Sequence, residues 1–103
     1  MSLLGSDFAG RGIVDEITIG SNDLDMTVDP RNATVALGPA KALEIIEGTG
    51  VLAYIDDPTG TTRTLGGTVA LDVGDRFEPI SVRKILGTNN ATPSSAMTLR
   101  VRW

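Results

Sequence analysis

Carboxylates are the side chains best suited to chemistry in this sequence of 103 residues, because it contains no histidine and no cysteine. The lack of histidine removes the commonest general base and metal ligand, and it rules out a Ser-His-Asp triad. The lack of cysteine rules out disulfides and thiolate sites. Glycine-rich phosphate-binding motifs are also missing from the sequence. We therefore expect a protein that is not an enzyme and has no cofactor.

Adjacent carboxylates at Asp56 and Asp57 come closest to the paired acids of a glycoside hydrolase. On a strand, however, neighbouring side chains point to opposite faces. The segment "DDPTG" also has the composition of a tight turn, in which proline presets φ and glycine supplies conformational freedom. We interpret these two carboxylates as turn residues.

An acidic segment, "SNDLDMTVD", places Asp23, Asp25 and Asp29 close together. Asp23 and Asp25 would share a strand face and could offer oxygen atoms to calcium. The helix-loop-helix calcium motif is not met, because its central glycine and closing glutamate are missing. We favour a solvated acidic strand edge that discourages edge-to-edge pairing, and we expect no metal site.

Aromatic residues are few, and a sugar-binding surface would have to be built from Phe8, Tyr54, Phe77 and Trp103. At least one of them is expected in the core. A monomeric module that binds a glycan or a protein is therefore kept as one alternative function.

Charge is distributed unevenly around a net value of −4. Residues 1–60 hold ten acidic and three basic residues, whereas residues 61–103 hold three acidic and six basic ones. The acidic total argues against a nucleic-acid binder. The apolar runs are too short to span a membrane, and the first residues do not have the pattern of a signal peptide. We expect no nucleic-acid or membrane partner.

Three arginines in the basic half are candidate interface residues: Arg83, Arg100 and Arg102. We expect at least two of them to lie at a subunit or partner contact and to pair with acidic residues of the 1–60 half. The alternative, a solvated outer strand face, is left open.

Short apolar runs punctuated by twelve glycines and five prolines predict an all-β fold. We expect a small antiparallel β-sandwich or flattened barrel of about seven to eight short strands. Residues 1–12 are assigned to an N-terminal arm and residues 13–103 to a single β domain. Strands are predicted over residues 13–19, 24–29, 42–47, 51–56, 61–65, 69–73 and 97–103, with further strand content in 76–87.

Three connections can also be predicted from the sequence. Residues 42–56 are expected to form two strands around a Gly-Thr-Gly turn, although a helical stripe beginning at Ala40 is an alternative. Residues 51–65 are expected to form a hairpin around "DDPTG". A polar loop is predicted over residues 88–96.

The chain ends in the strand "MTLRVRW", which alternates strictly between apolar and polar residues. One face carries Met97, Leu99, Val101 and Trp103, and the other carries Thr98 and the two arginines. Because an apolar strand face must be covered, we expect Trp103 to be at least partly buried, either in the core or as a plug between subunits.

Several segments of residues 40–103 occur in an order that is similar to a known group. They are "AKALEII", "EGTG", "VLAYID", "TTRTL", "GDRFEPISVRKIL", the loop "GTNNATPSSA" and a final tryptophan. In this order they resemble the head-spike base proteins of gene transfer agents and related tailed bacteriophages.

That resemblance implies a non-enzymatic virion protein at the capsid surface, synthesised in the bacterial cytoplasm. It implies a homo-oligomeric ring, with a pentamer at a capsid vertex favoured, that contacts the capsid protein and anchors a receptor-binding spike fibre. A trimeric capsid decoration or fibre-related protein is the nearest alternative.

Overall fold

A computed structural model describes residues 13–103, and over this range the chain forms antiparallel β-sheets without a helix. The expected all-β class is confirmed, while the predicted arm, residues 1–12, lies outside the described residues. Seven strands have four or more residues and three have only two. In chain order they are β1 (Val14–Thr18), β2 (Leu24–Asp25), β3 (Val28–Asp29), β4 (Asn32–Ala36), β5 (Ala42–Glu47), β6 (Leu52–Asp56), β7 (Thr62–Leu65), β8 (Arg76–Phe77), β9 (Val82–Ile85) and β10 (Thr98–Arg102).

The strands build two four-stranded sheets and a separate hairpin. The first sheet has the order β1-β10-β5-β8, and the second has the order β2-β9-β6-β7. Strands β3 and β4 pair only with each other. The C-terminal strand is therefore central in its sheet, with β1 on one side and β5 on the other.

A continuous apolar core lies between the two sheets, as in a β-sandwich. In β10, and at Leu43 and Ile45 of β5, buried residues alternate with exposed or half-exposed ones, which is the period-2 pattern of a sheet buried on one face. In β6, by contrast, the consecutive residues 52–54 are all buried. The fully enclosed side chains come from both sheets and their connections: Ile19, Leu43, Ile45, Leu52, Val82, Ile85, Met97, Leu99 and Val101.

The predicted hairpin over residues 51–65 is confirmed in strands β6 and β7. Leu52 pairs with Leu65 and Ile55 with Thr62 in an unbroken antiparallel register. The turn is closed by a hydrogen bond from the Gly60 N–H to the Asp56 carbonyl, and Gly60 has a φ of 73°. Glycine tolerates this left-handed conformation without a steric penalty.

The two strands around the Gly-Thr-Gly turn are confirmed, but they do not pair with each other. Strand β5 lies in the first sheet and β6 in the second, so the turn carries the chain across the sandwich. Gly50 has a φ of 141°, and a Cβ atom there would collide with the Ser95 side chain. Close packing against the loop that precedes β10 therefore requires glycine at this position.

The single strand predicted over residues 24–29 is interrupted. The Asp25 carboxylate accepts hydrogen bonds from both the backbone N–H and the hydroxyl of Thr27, at 2.8 and 2.6 Å. These bonds close a turn at Met26 and Thr27, so β2 ends in the second sheet and β3 starts the separate hairpin. Local hydrogen bonds from Thr27 to the Asp25 side chain have thus interrupted a strand that the alternating pattern predicts.

The strand predicted over residues 69–73 is wrong. Val69 and Val73 are 78% and 59% exposed, and only Leu71 is buried, where it forms an isolated bridge with Gly50. The segment follows two glycines and ends in a turn in which the N–H of Asp72 bonds the Asp75 carboxylate. Because only Leu71 of this segment forms a bridge, the alternating apolar residues do not form a paired strand.

Candidate functional site

Alternating charges cover the outer face of the first sheet. In register across β1, β10, β5 and β8 stand Glu16, Arg100, Glu44 and Arg76. Together with Arg102 and Glu78 these residues form what we call the Arg–Glu face. Neighbours on adjacent strands lie within reach of each other, so opposite charges meet across most of the sheet.

Arg100 is the centre of this face. Its Nη1 atom donates to Glu44 Oε1 at 3.2 Å, and its Nη2 atom lies 3.5 Å from Glu16 Oε2. The guanidinium therefore bridges both neighbouring strands. Because its side chain is 45% exposed, solvent screens these ion pairs and they contribute little to stability.

Glu78 joins the other two arginines of the Arg–Glu face. Arg76 Nη2 donates to Glu78 Oε1 at 3.3 Å, and Arg102 Nη2 donates to Glu78 Oε2. Glu78 directly follows β8, at the edge of the sheet. One carboxylate thus holds a guanidinium from the central strand and another from the edge strand.

A shallow recess opens between these side chains. It is lined by Val14, Ala42, Leu43, Glu44, Arg76, Arg100 and Arg102. Ala42 lies on the outer face of β5, in register with Arg102, and is only 5% exposed. We call this depression the arginine recess.

Arg83 lies apart from the recess, on β9 of the second sheet. Its Nε and Nη2 atoms donate to Asp57 Oδ1 at 3.1 and 3.0 Å, and Nη2 also donates to the Pro58 carbonyl at 3.2 Å. This arginine ties the turn of the β6–β7 hairpin to the neighbouring strand. The fold therefore brings Arg100 and Arg102 together but does not bring Arg83 to them.

Within the chain, two of the three arginines, Arg83 and Arg100, pair with carboxylates of the 1–60 half. Their partners are Asp57 for the first and Glu16 and Glu44 for the second, whereas Arg102 pairs with Glu78 of the basic half. That these arginines lie at a subunit or partner contact stays a prediction.

Trp103 is part of the core and is only 4% exposed. Its backbone N–H donates to the Ile13 carbonyl at 3.0 Å, and its indole Nε1 donates to the Met26 carbonyl at 2.6 Å. A buried indole needs such an acceptor. The expectation that this residue is buried is confirmed, and the last residue of the sequence closes the core of its own chain.

The other aromatic residues of the described range do not form an exposed platform. Tyr54 is buried at 5% exposure, and Phe77 packs half-buried against the core. Burial, with a smaller effect of the Asp56 carboxylate, raises the pKa of the Tyr54 phenol. Phe8 lies outside the described residues. Because Tyr54 and Trp103 are buried and Phe77 is half-buried, residues 13–103 offer no exposed aromatic platform for the glycan-binding alternative.

The carboxylates of the acidic segment accept hydrogen bonds from turn and loop residues. Asp23 Oδ1 accepts from the Gly87 N–H at 2.8 Å and the Asn90 side chain at 3.3 Å, and Asp29 accepts from the Arg31 N–H. Hydrogen bonds from Thr27 lower the pKa of the Asp25 carboxyl below its ordinary value. Residues 13–103 contain no group of three or more His, Cys, Asp or Glu side chains that could hold a metal ion.

Arg76 and Glu78 were missed as site residues by sequence reasoning. Their segment, "RFEP", has one apolar residue between two charged ones, which is a signal for an outward-facing charged pair on a strand. The two-residue length of β8 and the following Pro79 concealed that it would join the first sheet.

Comparison with known proteins gives no family for this chain. No protein-family model, no curated protein and no solved structure matches it. In residues 13–103 no helix is long and apolar enough to cross a membrane.

Proposed function

We propose that this protein is a non-enzymatic virion structural protein that forms a homo-oligomeric head-spike base on a capsid and anchors a receptor-binding fibre. A pentameric ring is favoured and a trimer is the alternative. The capsid protein and the spike fibre protein are its proposed partners.

The observation that carries the proposal is the place of Trp103 in the core. The resemblance to head-spike base proteins runs in order through residues 40–103 and finishes on the terminal tryptophan. Here that residue is built into the core, with its indole bonded to the Met26 carbonyl. A tryptophan used in this way supports a structural role better than a ligand-binding one.

The outer face of the first sheet supports the same proposal. It is broad and polar, and oppositely charged residues alternate across it. Faces with interspersed charges of both signs favour specific register between subunits and disfavour wrong partners. A ring would also cover strand edges that a small β domain otherwise leaves unpaired.

The test is the mass of the full chain in solution, measured by size-exclusion chromatography with light scattering at high micromolar concentration. We expect a particle of five times the chain mass of 10.8 kDa, or of three times that mass for the alternative. A strict monomer that also fails to bind phage capsids in a co-sedimentation experiment would overturn the proposal.

A further inference from the structure

We infer that the arginine recess is a binding site for a single carboxylate group. The recess lies on the first sheet, and three guanidinium groups, from Arg76, Arg100 and Arg102, line it around the small side chain of Ala42. The same Arg–Glu face is a proposed subunit contact, so the experiment reads ligand binding separately from the mass of the oligomer.

The first argument is an excess of hydrogen-bond donors. A guanidinium carries five N–H donors in a planar fork that matches a carboxylate. Within the part of the chain that the structure describes, each of the three arginines donates one hydrogen bond to a protein carboxylate, and Arg100 also forms an ion pair with Glu16. Most of their N–H groups are therefore available to a further acceptor.

The second argument is the shape of the site. Ala42 stands beside Arg102 in the sheet register, and Val14 stands on the other side of Arg102. Two small apolar side chains thus flank a long basic one. A carboxylate that approaches above Ala42 meets guanidinium groups from the central and the edge strand, and its carbon stem can rest on Val14, which is 44% exposed.

The third argument is the charge of the surroundings, which selects the class of anion. The three arginines already face Glu16, Glu44 and Glu78, so the Arg–Glu face is formally neutral. One added carboxylate leaves it at a charge of −1, whereas a phosphate dianion would leave it at −2. Repulsion from the three glutamates therefore favours a monovalent, planar carboxylate over a dianion.

A carboxylate can come from a small molecule or from an acidic side chain of another protein, and the experiment separates these sources. We would titrate the isotopically labelled full chain with N-acetylglycine and, separately, with the capped peptide acetyl-Gly-Glu-Gly-amide, at constant ionic strength. N-acetylglycinamide and the matching Gln peptide serve as uncharged controls. The readout is the chemical shift of the arginine Nε–H groups and of the backbone amides around the recess.

We expect saturable shifts with at least one of the two carboxylates and none with its uncharged control. Response to the peptide alone assigns the site to a protein side chain, and response to N-acetylglycine alone assigns it to a small molecule. Response to both identifies the carboxylate itself as the recognised group. Absence of a saturable shift with either one overturns the inference.

Variants locate the binding. Arg102→Gln should weaken it about tenfold, because a hydrogen bond to a charged group is lost. Arg63→Gln is the matched control, since Arg63 is an exposed arginine of β7 in the second sheet and pairs with Asp56. It should leave binding unchanged, and an equal loss in both variants would show that only net charge matters and would contradict the inference.

Discussion

Residues 97–103, which comprise β10 and one residue on each side of it, alternate between an inner and an outer face, and the two faces contribute differently to the protein. The inner face carries Met97, Leu99, Val101 and Trp103, none of them more than 4% exposed. The outer face carries Thr98, Arg100 and Arg102. Thr98 and Arg100 bond side chains of neighbouring strands, whereas Arg102 bonds Glu78, which follows β8. Burial of apolar area gives the inner face its stabilising effect. The outer face holds solvent-screened charges that add little stability.

The largest effect is expected on the inner face, from Trp103→Ala. Removing a buried tryptophan side chain costs about 3–5 kcal/mol, a large part of the roughly 5–15 kcal/mol that stabilises a typical domain. Urea unfolding followed by circular dichroism would measure the loss. A variant as stable as the parent would show that the end of the chain is dispensable.

Trp103→Phe separates the contribution of ring burial from that of the indole hydrogen bond. Phenylalanine keeps an aromatic ring in the core but leaves the Met26 carbonyl without the indole donor. We expect a smaller loss, of about 1–3 kcal/mol, from the unsatisfied buried acceptor together with the change in ring size. A loss as large as that of the alanine variant would mean that the hydrogen bond, and not burial, dominates.

The contrast between the faces is tested most directly by neighbouring substitutions. Leu99→Ala creates a cavity in the core and should cost about 2–5 kcal/mol. Thr98→Ala, one residue earlier, should cost less than about 1 kcal/mol, because it removes hydroxyl contacts with Thr18 and Glu47 that are exposed. Unfolding free energies measured side by side would decide, and equal losses would contradict the division into two faces.

Arg100→Gln should separate stability from association. Its ion pairs with Glu16 and Glu44 are exposed, so we expect a change within about 1 kcal/mol that shrinks with added salt. The mass of the oligomer in solution should nevertheless fall if the outer face is a subunit contact. Unchanged assembly at low and moderate salt would favour a solvated face.

The inner face of β10 could be predicted from the sequence because strict alternation in a strand with two neighbours leaves a single choice of buried side. The same reasoning failed at Val69 and Val73, where alternating residues have no neighbouring strand to pair with. Reasoning from alternation failed again at Asp25, because hydrogen bonds from Thr27 to its carboxylate interrupt the strand. Hydrophobic periodicity does not reveal such a local bond.

The candidate site was only half predictable for a related reason. Arg100 and Arg102 share a strand, so their common face follows from their spacing. Arg76 and Glu78 join them through the pairing of β5 with β8, which is separated from β5 by β6 and β7 in the chain. Contacts of this kind depend on strand topology, which local periodicity and residue spacing do not reveal.

The smallest expected effect links the acidic turn to the inner face. Asp25 caps the turn that contains Met26, and the carbonyl of Met26 receives the indole N–H of Trp103. Hydrogen bonds from Thr27 hold the folded-state pKa of the Asp25 carboxyl below its ordinary value of 3.8. The stabilisation that this group gives is therefore present above that value and is lost as the pH falls through the lower, folded-state pKa.

Asp25→Asn removes this titration but retains a side-chain oxygen that can accept from Thr27. We expect the variant to be slightly less stable than the parent at pH 7, and the difference to shrink as both are acidified below the ordinary aspartate pKa. Paired urea titrations across that range would measure the difference in unfolding free energy.

Asp29→Asn is the control, since Asp29 caps a neighbouring turn at Arg31 and is not adjacent to Met26. If the turn at Met26 helps to place the acceptor for Trp103, the indole fluorescence should respond to acid differently in the Asp25 variant and in the Asp29 control. Identical fluorescence responses would show that the core anchor of β10 is independent of the turn that supplies its acceptor.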